Sequence, residues 1–253
     1  MKLFDRFFKK EPIIAFKSFV GNFSVNVPVV AASKVRTEWM KNQTEPHKFT
    51  TCPGMLDYHM TGYIITAYTD LHIKANKAGV IVIPEPFAIL TDMERDLMKP
   101  APFEYKIVEG MVPFKDNVFK NVNKVPMPWA VFTKRGYSAY VLPVLMHPEF
   151  ADRIFIYPGV VDYDQFHSLS LIFSVTKECE FVIPAGTPLL HVIPFKREKI
   201  IAECGKTTDI EREKQFFSVP SRAVKNYYRR FLSERKSFKM KCPYEHPQYK
   251  DKK

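Results

Sequence analysis

Glycine is scarce in this chain, and its cysteines are not arranged in close pairs. Only nine glycines occur among 253 residues, and they are not clustered. Because a loop that cradles a triphosphate through its backbone N–H groups needs clustered glycines, we exclude this kind of phosphate-binding loop. The four cysteines, at positions 52, 179, 204 and 242, have no Cys-x-x-Cys spacing. This argues against a zinc ribbon or a thioredoxin-type site and predicts reduced thiols.

Long apolar runs and closely spaced histidines are also missing. No apolar run of eighteen residues occurs, so we expect no membrane span. The first ten residues, MKLFDRFFKK, are too charged for a secretory signal. We therefore expect a cytoplasmic protein, located in the host cytoplasm or the virion if the chain is viral. The seven histidines show no His-x-His and no His-Glu-x-x-His spacing, so we expect no metal site.

The sequence does have an excess of positive charge, and this excess lies at its two ends. The formal net charge is +11, of which residues 221–253 contribute +8 and residues 1–10 contribute +3, so that the body between them is neutral. Basic ends suggest an acidic partner, such as nucleic acid or an acidic protein surface. We expect a protein partner or a homo-oligomer, with nucleic acid as an alternative partner of the basic C-terminal segment.

The composition predicts a mainly β fold, an antiparallel barrel or sandwich with a C-terminal amphipathic helix. Phenylalanine, tyrosine and proline are numerous, at 22, 12 and 20 residues, which favours strands and extended connections over long helices. Three regularly spaced strand-like runs predict a meander or barrel: Ser168–Val175, Cys179–Pro184 and Leu189–Phe195. The proline-rich region 85–128 is predicted to be irregular, with short strands.

We divide the chain into four segments. They are an amphipathic N-terminal segment (1–12), a β-rich domain (13–200), a helical segment packed on it (201–240) and a basic tail (241–253). Thr208 and Glu211 predict a capping box at the start of a helix. The sequence after Ser221 predicts the clearest amphipathic helix in the chain. The candidate residues for contacting nucleic acid or a partner lie on this helix: Lys225, Arg229, Arg230 and Lys236.

One stretch resembles part of a known enzyme family. IFIYPGVVDYDQFHSLSLIFSV, residues 154–175, places Asp162 and Asp164 at what we predict to be a β-hairpin corner. With FVIPAGTPLLHVIPF it resembles, over residues 154–197, the third and fourth motifs of the trimeric dUTPase family, which has a β-clip fold. The resemblance implies that Asp162 orients the attacking water, with Asp164 holding Mg²⁺ through phosphate. We predict no other cofactor.

The chain departs from that family at the positions that hold the nucleotide. Gln165 stands where the family has a stacking tyrosine, unless Phe166 takes over that role, and His167 stands where the family has a small glycine. The phosphate-binding Pro-Arg-Ser-Ser motif and the glycine-rich C-terminal clamp are absent. An active hydrolase would need other cations to converge on the Asp162 loop. The candidate ligand-binding residues are Lys134, Arg135, Arg153 and His167.

A second, looser resemblance spans most of residues 27–238. The segments VPVVAASKVRTEWM, TTCPGMLDYHMTGYIIT, TKRGYSAYVLPVL and IPAGTPLLHVIPFKRE occur in an order that looks like a family of bacterial and phage proteins known as a domain of unknown function. This resemblance implies a β-rich fold and a phage or bacterial origin, and it names no activity. The chain departs from the family at TKRGYS, where a Pro-Gly pair is expected.

These observations predict a non-catalytic binding or assembly protein, with a phage structural or accessory protein as one version. Two alternatives stay open. The first is a degenerate dUTPase-like nucleotide hydrolase that uses Asp162, and the second is a nonspecific nucleic-acid accessory protein that uses the basic C-terminal helix.

Overall fold

The computed structural model describes much of the chain between Pro12 and Ser218. The described residues are 12–20, 28–35, 53–76, 79–86, 90–103, 122–144, 150 and 152–218. The chain divides into two compact units, Met1–Asn42 with Met60–Arg197 and Gln43–His59 with Glu198–Lys253. Residues 1–11 of the predicted N-terminal segment and the helix predicted after Ser221 lie outside the described residues.

Thirteen strands and three α-helices lie in the described part of the chain, and the predicted mainly β, antiparallel fold class is confirmed. The strands are β1 (Ile14–Ser18), β2 (Val30–Ala31), β3 (Tyr63–Thr66), β4 (Leu71–Asn76), β5 (Gly79–Pro84), β6 (Ala101–Phe103), β7 (Val122–Thr133), β8 (Tyr137–Pro143), β9 (Ile154–Ile156), β10 (Gly159–Val161), β11 (Ser168–Val175), β12 (Cys179–Ile183) and β13 (Pro188–Lys196). The α-helices are α1 (Pro53–Met60), α2 (Asp92–Met98) and α3 (Asp209–Ser218), and a 3-10 turn covers Ala32–Lys34.

The strands form three antiparallel sheets, all within the first compact unit. Their orders are β1-β7-β11-β9, β10-β8-β13-β3-β2 and β12-β4-β5, and we call them the first, second and third sheets. In the first sheet β6 also pairs with β7. The predicted meander is wrong, because β11, β12 and β13 belong to three different sheets. The turns lie where the sequence predicts them, but each turn carries the chain from one sheet to the next.

Much of the buried core comes from strands of the first and second sheets. Along β7, alternate side chains point inward, and Val125, Met127, Trp129 and Val131 are each 1 % exposed or less. This is the period-two pattern of a strand with one buried face. Phe16 of β1 and Tyr63 of β3 meet edge to face, with ring centroids 5.3 Å apart, and this contact joins the two sheets.

The proline-rich region is more regular than predicted. It contains α2, whose Thr91 cap and Glu94 form a reciprocal capping box, and it ends in the first half of the twelve-residue β7. Pro126 of β7 lies opposite Ser170, where the register between β7 and β11 shifts. Proline has no backbone N–H to donate, so it is best tolerated where the hydrogen-bond ladder between two strands is irregular.

A glycine sets the close approach of β3 and β13. Gly62, just before β3, has a φ of +80°, and a Cβ atom built there would lie 2.3 Å from the carbonyl oxygen of Val192. The neighbouring carbonyl oxygen of Thr61 contacts Nε2 of His191, a buried side chain of β13. Only glycine fits this combination of positive φ and backbone contact.

The second unit contributes α3 and most of α1 to the described residues. The predicted capping box is confirmed, because the N–H of Thr208 donates to the Glu211 carboxylate at 2.8 Å and the N–H of Glu211 donates to the Thr208 hydroxyl at 3.3 Å. Of the helices that the structure describes, none is long and apolar enough to cross a membrane.

Candidate functional site

The Asp162 loop connects two sheets rather than two strands of a hairpin. β10, before the loop, pairs with β8 of the second sheet, and β11, after it, pairs with β7 and β9 of the first sheet. The predicted hairpin corner is therefore wrong. The loop closes as a tight turn, since the N–H groups of Gln165 and Phe166 both donate to the carbonyl oxygen of Asp162 at 2.9 Å.

An arginine that sequence reasoning did not select holds both aspartates of this loop. Arg197 directly follows β13, and its Nη1 lies 3.0 Å from Oδ1 of Asp162 and 3.0 Å from Oδ1 of Asp164. Its Nη2 also pairs with Oδ2 of Asp164. The Ser138 hydroxyl donates to Oδ1 of Asp162 at 2.5 Å, and Nη1 of Arg197 lies 3.1 Å from that hydroxyl. We call Asp162, Asp164, Arg197 and Ser138 the arginine cluster.

The backbone of the turn between β7 and β8 completes the arginine cluster. The N–H of Gly136 donates to Oδ2 of Asp164 at 2.9 Å, and its carbonyl oxygen accepts the N–H of Arg197 at 2.8 Å. Gly136 has a φ of +83°, which suits a tight turn that presents its N–H to a carboxylate. The cluster thus fastens the β7–β8 turn, the loop before β11 and the end of β13 to one another.

Both carboxyl groups of the arginine cluster are held in the ionised form. The hydrogen bond from Arg197 and the backbone N–H of Gly136 hold the pKa of Asp164 below its ordinary value of 3.8. The Ser138 hydroxyl, followed by Arg197, lowers the pKa of Asp162 from the same value. The two aspartates in turn raise the pKa of Arg197, Asp164 more strongly. Because a general base works best with a pKa near the working pH, the lowered pKa makes Asp162 a weaker base.

His167, the histidine predicted to bind a ligand, makes contacts that hold the loop itself. Its Nδ1 lies 3.1 Å from the carbonyl oxygen of Val131 and 3.0 Å from that of Tyr163. Its ring stacks on Phe132 of β7, with centroids 4.3 Å apart. Tyr163 of the same loop is itself buried, with 1 % exposure.

The other predicted ligand-binding residues do not join the two aspartates. Lys134 and Arg135 lie in the β7–β8 turn, whose contact with Asp164 is made by the Gly136 backbone. Arg153 lies before β9, with its Nε 3.7 Å from Oδ1 of Asp152 and its guanidinium 5.4 Å from the centre of the Phe181 ring. Within the described ranges, no hydrogen bond or ion pair links these three cations to Asp162 or Asp164.

The candidate nucleic-acid or partner residues Lys225, Arg229, Arg230 and Lys236 lie outside the described residues. Among the residues that are described, no group of three or more His, Cys, Asp or Glu side chains is placed to hold a metal ion.

The third sheet carries a surface that sequence reasoning also missed. On its outer face Ile81 and Ile83 of β5 are 56 % and 59 % exposed, and Val182 of β12 is 41 % exposed. They are interleaved with polar side chains of β4, since Ile83 and Val182 both lie opposite His72 and Ile81 lies opposite Lys74. We call the outer side chains of β5 and β12 and those of β4 between them the outer face.

The polar groups of the outer face are paired within the chain. Nε2 of His72 lies 2.9 Å from a carboxylate oxygen of Glu85, and Nζ of Lys74 lies 3.1 Å from Glu180. The inner side of β4 is buried through Leu71 and two further apolar residues of the strand. The outer face therefore combines exposed apolar side chains with polar side chains that have partners within the chain, a mixture found in protein contact surfaces.

Comparisons with known proteins do not assign this chain to a family. No protein-family model matches the chain, and no curated protein matches it. The resemblances to the dUTPase motifs and to the domain of unknown function therefore remain hypotheses that depend on the sequence segments alone.

Proposed function

We propose that this protein is a binding or assembly protein that contacts a protein partner through the outer face of the third sheet. The observation that carries the proposal is the exposure of Ile81 and Ile83 beside each other on β5, with Val182 across the sheet. Single exposed apolar side chains are common on proteins, but several on one face of one sheet, next to polar side chains that are paired within the chain, favour an interaction surface.

The arrangement of the Asp162 loop supports assembly over catalysis. Its two carboxylates are committed to Arg197, Ser138 and the Gly136 backbone, and these contacts connect segments of the fold. A phage structural or accessory protein is the setting that the looser family resemblance implies. The nucleotide hydrolase and the nucleic-acid accessory protein are the alternative proposals. Binding of a nucleotide would favour the first, and binding of nucleic acid would favour the second.

Site-specific photo-crosslinking tests the proposed function. A benzophenone-bearing amino acid replaces Ile83, and in a second variant it replaces Val160 of β10. Val160 is a matched control because it is 56 % exposed and also lies on a strand at the edge of a sheet. We expect illumination of cells that produce the protein to give a discrete protein–protein product from position 83 and none from position 160. If position 83 gives no product, or both positions give the same products, the proposal is wrong.

A further inference from the structure

We propose that the protein partner is a second copy of this chain, and that the two copies pair β5 to β5 edge to edge in antiparallel orientation, at the border of the outer face. The inference rests on the proposed function, because it names the protein partner and places the contact at the β5 edge that borders the outer face. It follows from the second edge of β5, which pairs with no other strand that the structure describes, from the direction of its backbone groups and from the symmetry of its side chains.

β5 differs from every other edge strand that the structure describes. β2, β6, β9 and β10 have two or three residues each, which limits the ladder that another chain can add. β1 carries Lys17 and β12 carries Glu180, and charged edge residues oppose pairing with a second strand. β5 has six residues, GVIVIP, and no charge. It carries no charged residue to protect the edge, and the proline that ends it, Pro84, still leaves Val80 and Val82 able to pair.

The side chains of β5 are apolar on both faces of the sheet. Its neighbour β4 alternates strictly, with buried apolar residues on one face and exposed polar residues on the other. Such alternation is typical of a strand with one solvated face, whereas a continuous apolar run is typical of a strand covered on both faces. The sequence of β5 thus fits a strand inside a larger assembly better than a strand at a free edge.

The backbone of β5 is directed so that a second strand can pair with it. The N–H of Glu85, which follows β5, donates to the carbonyl oxygen of Asp70 at 2.9 Å. Residues of an antiparallel ladder alternate between those that bond to the neighbouring strand and those that face away from it. Counting back from Glu85, Val80 and Val82 direct their N–H and C=O groups away from β4. These are the groups that a strand on the open edge would bond.

A second copy of β5 satisfies these groups symmetrically. When Val80 lies opposite Val82 of the second copy, each such pair exchanges both N–H···O bonds, and Ile81 lies opposite its own equivalent on the two-fold axis. Opposed residues of antiparallel strands point to the same face, so the exposed Ile81 and Ile83 side chains of both copies cluster. The polar side chains of the outer face have partners within each chain, and the residues that meet across the two-fold axis, Val80, Ile81 and Val82, carry no charge.

A cysteine trap tests the register of this pairing. Ile81→Cys is made in full-length protein whose four native cysteines are replaced by serine, with Val160→Cys in the same background as the control matched in exposure. Opposed residues of a non-hydrogen-bonded pair lie close enough for a disulfide. We expect mild oxidation to give a covalent dimer for Ile81→Cys and a monomer for Val160→Cys. A monomer for both, or a dimer for both, contradicts the proposed register.

Sedimentation of the native chain tests the dimer without any cross-link. We expect a concentration-dependent dimer, and we expect Ile81→Lys to raise the dimer Kd by about tenfold or more, because like charges then face each other across the axis. Val160→Lys should leave the Kd unchanged. Far-ultraviolet circular dichroism verifies that both variants are folded.

The two proposals fail differently. The second-copy inference is wrong if the native chain stays monomeric at every concentration and the photo-product from position 83 does not have the mass of two chains. That result would still support the proposed assembly function. A monomer without any position-83 product overturns both.

Discussion

Arg197 and Asp164 form a two-point ion pair that ties the end of β13 to the loop before β11. Nη1 of Arg197 lies 3.0 Å from Oδ1 of Asp164, and Nη2 pairs with Oδ2. The Asp164 side chain is only 6 % exposed, whereas the Asp162 side chain of the same loop is 51 % exposed. Asp164 is therefore the structural member of the Asp-x-Asp pair. The fork geometry of arginine suits such a two-point contact, and lysine cannot reproduce it.

Replacing Asp164 with asparagine is expected to destabilise the fold. The change leaves Arg197 without its two-point partner and weakens the acceptor for the Gly136 N–H. Asp152→Asn is the matched control, since Asp152 pairs with Lys177 at a side chain that is 62 % exposed, and exposed ion pairs contribute little. Urea unfolding should show a clear loss of stability for Asp164→Asn and nearly none for Asp152→Asn. Equal losses of stability in the two variants would show that the arginine cluster contributes no more to stability than an exposed ion pair.

The arginine cluster also predicts how stability depends on pH. The pKa of Asp164 is lowered from 3.8 in the folded chain, chiefly by the hydrogen bond from Arg197. Between the folded and unfolded pKa values the unfolded chain binds more protons, so stability rises with pH across this acidic range. The contribution is present above the unfolded pKa and is lost as the pH falls through the folded pKa.

Parallel urea titrations from neutral to strongly acidic pH check this linkage. The difference in stability between the native chain and Asp164→Asn should be constant near neutral pH. It should shrink once the pH falls below the ordinary aspartate pKa of about 3.9. A difference that stays constant into strong acid would mean that Asp164 ionisation is not linked to folding.

The fold class could be predicted because it depends on local sequence patterns. Which strands belong to which sheet could not be predicted in this way. The β7–β8 turn near Arg135-Gly136 and the Thr208–Glu211 capping box are signalled by residue type and spacing, and the structure has both. The loop at Asp162 has the residues of a hairpin corner, but whether its flanking strands pair with each other is decided by partners distant in sequence. Periodicity carries no information about that choice.

The residues of the arginine cluster could likewise be predicted only in part from the sequence. Asp162 and Asp164 attract attention because two acids flank one residue, but Arg197 lies 33 positions beyond Asp164 and carries no motif of its own. Only the pairing of β13 with β8 brings it back to Ser138. The signal for the outer face was present in the sequence, in the uninterrupted apolar GVIVI of β5 beside the alternating LHIKAN of β4.

Gly62 is expected to tolerate no side chain. A Cβ atom there would lie 2.3 Å from the Val192 carbonyl oxygen, and the φ of +80° is strained for any L residue with a side chain. Gly62→Ala should therefore lower the free energy of unfolding by about 1–3 kcal/mol from backbone strain alone, and by more if β13 must shift. Gly159→Ala, where a Cβ atom meets nothing within 4 Å, should change it by less than about 1 kcal/mol. Denaturant unfolding of the two variants measures both, and similar losses would contradict the close approach of β3 and β13.

Nucleotides with Mg²⁺ are expected not to stabilise the protein. The carboxylate that the dUTPase resemblance selects, Asp162, accepts from Ser138 and pairs with Arg197, and no other described cation reaches it. Ligand at a hundred times its Kd stabilises a folded chain by about 2.7 kcal/mol, which in a chain of this size raises the melting temperature by about 5–10 °C. A thermal-shift series with dUTP and other nucleotides at about 1 mM would therefore reveal any Kd below about 10 µM. A shift that disappears in Asp162→Asn and persists in Asp152→Asn would favour the hydrolase alternative. The absence of a shift, together with a β5-dependent dimer, would favour a function at the edge of the third sheet, with a structural role for the arginine cluster as one of the contacts between the first two sheets.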